Sequence, residues 1–209
     1  MCSKKVIYLD LDDTVKETER YIRRVISSNG VRLKPNFYGK NCDSVYLYIG
    51  TDTREGMIVS ECLKNWNVIP FKASAINSIK LLKTEYEVIF CTAYSFGEEA
   101  EWKKAFAKSM GCNIILCGEE CMLKDHVDMK GSIFVDDRHD ILLRSNAEDR
   151  YEMFNPYDFD FNGYVEREDN IGLVDWYSLI DTIMGKCDKS EGGRDFENIR
   201  GMLCQGIQA

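Results

Sequence analysis

The sequence predicts an α/β protein: a parallel sheet with helices packed on it and a helical insertion after the first strand. Three observations predict it. Short apolar runs recur along the chain, as VIYL before Asp10, then Glu87 to Cys91, Asn113 to Cys117 and Ser132 to Val135, each short enough for a buried strand. Segments with helical spacing separate them, and alternating strands and helices build a parallel sheet through right-handed crossovers. Finally, about seventy residues separate Thr14 from Glu87, several times the dozen or so that one crossover needs.

The elements follow in chain order. After the first strand, Lys16 to Asn29 reads as a helix with Tyr21, Ile22, Val25 and Ile26 as its apolar stripe, ended by Asn29-Gly30 as a C-cap. Val31 to Gly50 is irregular and reads as loop or short strand. Thr53 to Asn65 reads as a helix capped by Thr53, with Met57, Ile58 and Leu63 inward. Ala73 to Lys83 carries Ala75, Ile76, Ile79 and Leu82 on one face, and Glu98 to Met110 carries Trp102, Ala105, Phe106 and Met110. A fifth strand is expected at Tyr151 to Phe154. The polar tail from Gly185 reads as loosely ordered or as a short terminal helix. The division expected is a core of residues 1–14 and 72–184, an inserted segment 15–71 and a tail 185–209.

Bulk properties bound the function. With 209 residues, 44% hydrophobic and 30% charged, the chain has the length and composition of one soluble globular domain with an insertion. It contains no apolar run of membrane-spanning length and no signal-peptide pattern at its start, so the expected compartment is the cytosol and no membrane partner is expected. Nine cysteines, an odd number without an export signal, read as reduced thiols, and the spacing Cys112/Cys117/Cys121 lacks the matching pair of a zinc site. A net charge of −8 argues against a duplex DNA partner. Small anionic substrates remain open, because a local cationic pocket can sit inside an acidic protein.

Chemistry concentrates in YLDLDDT, Tyr8 to Thr14. Carboxylates at the carboxyl end of a strand in an α/β sheet stand where such sheets hold ligands. Residues two apart on a strand project the same way, so Asp10 and Asp12 can converge on one point. One carboxylate can attack phosphorus while the other handles a proton. Such a pair needs a cation to offset its charge, and Mg²⁺, which takes one or two carboxylates plus substrate oxygens, suits Asp10 with Asp136 of a second acidic strand end, IFVDD. A lone D-x-D often just ends a strand; here a second strand ends in Thr92, a lysine follows, and a third ends in Asp136-Asp137.

That ordered set resembles the haloacid dehalogenase superfamily of phosphohydrolases, through Asp10-Leu11-Asp12-Asp13-Thr14, Val88-Ile89-Phe90-Cys91-Thr92, a lysine near Lys124, and Ile133-Phe134-Val135-Asp136-Asp137. The resemblance implies a Rossmann-like core of three α/β/α layers with a small, mostly helical cap. It implies Asp10 as nucleophile and Mg²⁺ ligand, Asp12 as general acid/base that also binds metal through its backbone carbonyl, Thr92 as hydrogen-bond donor to the transferring phosphoryl group, Asp136 as further metal ligand and Asp137 as its support. An acid at the second position favours a phosphatase, because a leaving alkoxide needs a proton. Lys124 or Lys130 would hold the phosphate; Lys124 is favoured because Lys130 adjoins Gly131 at the entry to the strand. Thr14, Ala93, Tyr94 and Ser95 are candidates to touch phosphate or leaving group.

The segment Val68 to Thr92, with FVDDRHD and FNPYDFDFNGY later, is similar to the 5'(3')-deoxyribonucleotidases. This implies a small phosphorylated substrate, a nucleotide. Phe37, Tyr38, Tyr46, Tyr48 and Trp66 could stack on a base or form the core of the insertion. Lys16, Arg20, Arg23 and Arg24 could meet an anion or form a solvated helix face. The alternatives are a polynucleotide 3'-phosphatase or sugar phosphatase, and, from another class, a non-catalytic phosphate-binding protein on the same fold. Arg138 could pair with the neighbouring acids, and His126 and His139 read as structural.

Overall fold

A computed structural model of the chain describes residues 4–31, 45–155 and 171–187. Among them lie six parallel strands, β1 (Val6–Leu9), β2 (Glu87–Ala93), β3 (Asn113–Cys117), β4 (Ile133–Asp136), β5 (Asp149–Met153) and β6 (Gly172–Val174). The sheet order is β3-β2-β1-β4-β5-β6. β1 therefore sits between β2 and β4, with Leu9 level with Phe90 on one side and Val135 on the other. In this order the winding reverses at β1, and the crevice beyond the carboxyl ends of β1 and β4 is where such a sheet holds its ligand.

Strand alternation divides the core into two layers. Ile7, Leu9, Val88, Phe90, Ile133, Val135, Tyr151 and Met153 share one apolar cluster with α3 (Ala75–Glu85), α6 (Trp176–Cys187) and Ala107 of α4 (Gly97–Met110). On the opposite face Cys91, Cys117 and Phe134 pack with Ile141 and Leu142 of α5 (His139–Arg144). Two helical layers around a parallel sheet give the predicted three-layer architecture. β6 and the helices α5 and α6 add to the predicted elements: β6 is three residues long, below the length at which periodicity registers.

Between β1 and β2 the chain forms α1 (Thr18–Ser28), a 3₁₀ turn at Val45–Tyr48, α2 (Arg54–Lys64) and a second 3₁₀ turn at Trp66–Val68. These have an apolar cluster of their own, built from Ile22, Ile26, Val45, Val59, Cys62 and Leu63. An antiparallel bridge between Lys16 and Phe71 closes the base of the segment, with Glu17 donating to Pro70 O at 2.9 Å and Lys72 to Val15 O at 2.8 Å. Phe37 and Tyr38, residues 156–164 of the nucleotidase-like stretch and residues 188–209 of the tail lie outside the described residues. Gly185 to Cys187 end α6. No described helix is long and apolar enough to cross a membrane. Cys62, Cys91, Cys112, Cys117 and Cys121 are free thiols.

Two helix faces differ from expectation. In α2 the inward residues are Gly56, Val59, Cys62 and Leu63, while Met57 is 61% exposed. In α4 Trp102 is 43% exposed and Ala105 is exposed, and the buried positions are Glu99, Ala100, Lys103 and Ala107. Phe106 and Met110 pack against the core as expected; Trp102 and Ala105 do not, because the neighbouring inward positions carry an ion pair whose partners neutralise each other. Thr53 caps α2 as expected, accepting the Gly56 amide at 3.0 Å.

Gly56 sits where α2 meets the preceding turn: a Cβ there would lie 2.7 Å from Tyr48 O and closer still to Thr51. Alanine's helix preference, worth about 1 kcal/mol over glycine, is outweighed by that backbone overlap. Gly56→Ala is therefore expected to destabilise the fold by about 1–3 kcal/mol, read as a lowered urea midpoint; an unchanged or raised midpoint would contradict the packing described.

Candidate active site

Continuing the β1 register by one residue carries Asp10 beyond Leu9 to stand beside Asp136, the last residue of β4, and Asp10 N donates to Val135 O at 2.9 Å. Both carboxylates are buried, at 4% and 1% exposure. Between them lies the ammonium of Lys124, which donates to Asp10 Oδ1 at 2.5 Å and to Asp136 Oδ2 at 2.6 Å. Lys124 reaches this position from a residue with φ of 59°, a left-handed conformation that non-glycine residues adopt rarely. Lys130 is exposed and forms no such bridge among the described contacts.

Charge explains the arrangement. Burial pushes the Asp10 carboxyl up to about 6, with Lys124 pulling the other way and Asp136 and Asp12 adding repulsion. Burial also works against the Lys124 ammonium, but Asp10 and Asp136 outweigh it and raise its pKa. Carboxylate oxygens of Asp10, Asp136 and Asp137 all lie within 4.8 Å of one another. Three hard, anionic oxygen donors converging in a buried cleft fit a divalent cation such as Mg²⁺.

Asp12 stands at the mouth of the cleft, its side chain 18% exposed. One oxygen, Oδ1, accepts from Trp66 Nε1 and from Thr18 Oγ1, both at 2.8 Å. The other, Oδ2, accepts from Lys103 Nζ. Burial pushes the Asp12 carboxyl up, but the Lys103 charge and these hydrogen bonds outweigh it and hold the group below its usual range. Its backbone carbonyl, expected as a metal ligand, accepts the Thr14 amide at 2.6 Å and retains a second lone pair. Asp13, at φ 51°, turns the other way. Its carboxylate accepts the Glu19 amide at the start of α1 and Tyr46 Oη at 2.7 Å.

Sequence reasoning missed Lys103, Glu99 and the role of Lys16. The side chain of Lys103 is fully buried; besides Asp12 it contacts Glu99 at 2.6 Å, Ala93 O at 2.6 Å and Thr92 Oγ1 at 3.4 Å. Lys16, read as one of a possible solvated face, is 1% exposed and donates to Trp66 O, Asn67 O and Ile69 O, with its ammonium 4.0 Å from the Trp66 ring centre. The signal available for Lys103 was a glutamate four residues before a lysine on the helix that follows Thr92, which by itself reads as a surface pair.

The remaining candidates divide. Thr92 is buried beside Lys103. The Tyr94 amide donates to Cys117 O and its hydroxyl rests 3.2 Å from where a Gly118 Cβ would be, while the Ser95 amide donates to Glu99 Oε2 at 2.9 Å. Thr14 is fully buried, its carbonyl accepting from Trp176 Nε1 at 3.0 Å. Trp66 and Tyr46 stand as the core alternative for the insertion's aromatics describes. Trp66 is 1% exposed and packs edge-on against Phe106, and the Tyr46 hydroxyl is engaged by Asp13. Arg20 pairs with Glu17 at 2.9 Å and lines a cavity of about 290 Å³ between Lys72, Phe154 and Tyr177 whose walls include none of the site aspartates. Arg138 pairs through its side chain with Asp140, and only its amide reaches Asp136. His139 is bonded to Glu152 at 2.7 Å and His126 is exposed.

No protein-family model and no curated protein matches the chain. Solved structures do. A haloacid dehalogenase-like family hydrolase from Streptococcus pneumoniae superposes with a TM-score of 0.54 at 12% identity, over 87% of this chain and 99% of that one. A Bacillus subtilis protein described as a HAD-hydrolase, bound to magnesium, gives 0.53 at 10% identity over 87% and 99%. A Thermotoga maritima protein described as a β-phosphoglucomutase gives 0.53 at 13% over 87% and 99%. At these identities the likeness is one of fold: the chain has the Rossmann-like parallel α/β fold of the haloacid dehalogenase-type hydrolases.

Proposed function

We propose that the protein is a magnesium-dependent phosphomonoesterase that passes the phosphoryl group of a small substrate first to Asp10 and then to water. One observation carries the reading: Asp10 and Asp136, on adjacent strands at the switch point of the sheet, share the buried Lys124 ammonium, with Asp137 close enough to complete an oxygen-donor set. A merely structural ion pair has no need of a third buried carboxylate beside it. The magnesium-bound fold neighbour supports the choice of ion.

In this reading an Asp10 oxygen attacks phosphorus as the bond to the leaving oxygen breaks, and Asp12, which must enter this step protonated against the pull of Lys103, delivers the proton that the leaving oxygen takes. A water then gives a proton to the Asp12 carboxylate, the form that Lys103 favours, and attacks the aspartyl-phosphate, restoring Asp10 and releasing phosphate. Lys124 holds Asp10 in place and sets positive charge beside the phosphoryl oxygens. Asp10, Asp136 and Asp137, with the Asp12 carbonyl, would hold Mg²⁺, which would supply further positive charge against the phosphate. Thr92 and Ser95 frame the phosphoryl group from the β2 loop.

Residues 15–71 act as a small cap over a core of residues 1–14 and 72–184, excluding water and choosing the substrate. Their link to the site is direct, through Trp66 to Asp12 and Tyr46 to Asp13. Nucleoside monophosphates are the first substrate class, from the nucleotidase-like run Val68 to Thr92. Sugar phosphates are the second reading, favoured by the β-phosphoglucomutase among the fold neighbours and by the burial of Trp66. The free thiols are consistent with a cytosolic setting.

Asp10→Asn is expected to lower hydrolysis of p-nitrophenyl phosphate by about four orders of magnitude or more with the fold intact, and EDTA to abolish it until Mg²⁺ is restored. Undiminished turnover by the variant would remove Asp10 as nucleophile. A panel of 5'- and 3'-nucleoside monophosphates, ribo and deoxy, against sugar phosphates decides the substrate class: a peak among nucleotides is expected, and a flat nucleotide profile beneath a sugar-phosphate peak would overturn the nucleotidase reading. Independently of activity, Mg²⁺ at a hundredfold excess over its dissociation constant should stabilise the protein by about 2.7 kcal/mol, read by thermal unfolding. Asp136→Asn should erase most of that gain, and an equal gain in the variant would place the ion elsewhere.

A further inference from the structure

We propose that Lys103 is a positioning residue for Asp12, holding that carboxylate in register with Thr92 and the β2 loop; the role rests on the phosphomonoesterase reading above. Lys103 projects from the second turn of α4 and its side chain has no exposure to solvent. Burying an ammonium costs several kcal/mol unless its donors are matched. Glu99, one turn earlier on the same helix, already supplies a matching charge at 2.6 Å. That contact stays within α4 and matches one of the ammonium's three donors. The ammonium continues to Asp12 Oδ2, to Ala93 O at 2.6 Å and to Thr92 Oγ1 at 3.4 Å, so the contacts that leave the helix run to the site.

The second oxygen of Asp12 is fixed from two other directions. Trp66 Nε1 and Thr18 Oγ1 both hold Oδ1 at 2.8 Å, and Trp66 is itself seated by Lys16, whose ammonium gathers the carbonyls of Trp66, Asn67 and Ile69. Asp12 is thereby restrained by α4, by the Trp66–Val68 turn and by the start of α1. Among the described residues that hold Asp12, only Lys103 also touches the end of β2, so it ties the proton-handling carboxylate to the loop that would frame the phosphoryl group. Glu99 extends the same link by accepting the Ser95 amide at 2.9 Å. Misplacing a catalytic group by about 1 Å can cost about a hundredfold in rate, which gives this tether its purpose. Lys103 does not touch the reacting atoms; it acts through Asp12.

The test compares two leaving groups in the full chain with saturating Mg²⁺. Aryl phosphates with a good leaving group need little proton donation, whereas alkyl phosphates depend on it, so loss of Asp12 positioning must be selective in kcat/KM, which reports transfer to Asp10 and not the later hydrolysis common to both. Because Lys103→Met strands the buried Glu99 carboxylate, Glu99→Gln/Lys103→Met is measured beside it, with Glu99→Gln alone as the reference and folding checked by thermal unfolding. The expected result is a fall in kcat/KM for an alkyl phosphate of about a hundredfold or more, within the range that general acid/base catalysis contributes. The loss of kcat/KM with p-nitrophenyl phosphate is expected to be at least about tenfold smaller. Equal losses on both substrates, or none, in a folded variant would reduce Lys103 to a structural ion pair. Wild-type protein inactive toward both phosphates would overturn the phosphomonoesterase reading and this role with it.

Discussion

Asp10, Asp136 and Asp137 bury their carboxylates at the same end of the sheet, with Asp12 half-buried beside them, and the compensation of that negative charge is the constraint on which the remaining architecture depends. Each buried ion costs several kcal/mol, and like charges at this range raise one another's pKa. Two internal lysines meet the cost from opposite sides. Lys124 takes Asp10 and Asp136, and Lys103 takes Asp12 with Glu99. Neither lysine reaches solvent to any extent, so each is matched to particular oxygens and not to a diffuse field.

That constraint accounts for features that packing alone does not require. β1 and β4 must be neighbours for one ammonium to bridge their last carboxylates, which the 3-2-1-4-5-6 order provides. The inward face of α4 must carry Glu99 and Lys103 beside Ala100 and Ala107, and its tryptophan points outward. The inserted segment must reach down, with Trp66 donating to Asp12 and Tyr46 to Asp13. The segment proposed to choose the substrate and the residue proposed to move the proton thus share hydrogen bonds. A shift of the Trp66–Val68 turn would be felt at Asp12.

The sheet was legible in the sequence because β1, β2, β3 and β4 are short apolar runs, and the convergence of Asp10, Asp12, Thr92, Lys124 and Asp136 because each lies at or beyond the carboxyl end of one of these strands. Strand β6 was not, being three residues of GLV without flanking alternation. Lys103 and Lys16 were illegible for a different reason: a buried lysine is written like a surface one, and only the partners brought by the fold distinguish them. Trp66 and Tyr46 read as aromatic area, whereas their hydrogen-bonding tips, Nε1 and Oη, decide what they do. Met57 in α2 was misplaced because a glycine, Gly56, occupies the tightest inward position and contributes nothing to an apolar pattern.

The covalent use of Asp10 is the central claim, and rapid quench of a single turnover with Mg²⁺ and an aryl phosphate addresses it most directly. Acid-quenched protein, digested and weighed by mass spectrometry, is predicted to carry a transient phosphoryl group on the peptide containing Asp10, appearing before inorganic phosphate and absent from Asp10→Asn. Full-rate phosphate release with no phosphorylated Asp10 at any time, while a phosphoryl-aspartate standard survives the same quench, or with the phosphoryl group on another residue, would contradict it.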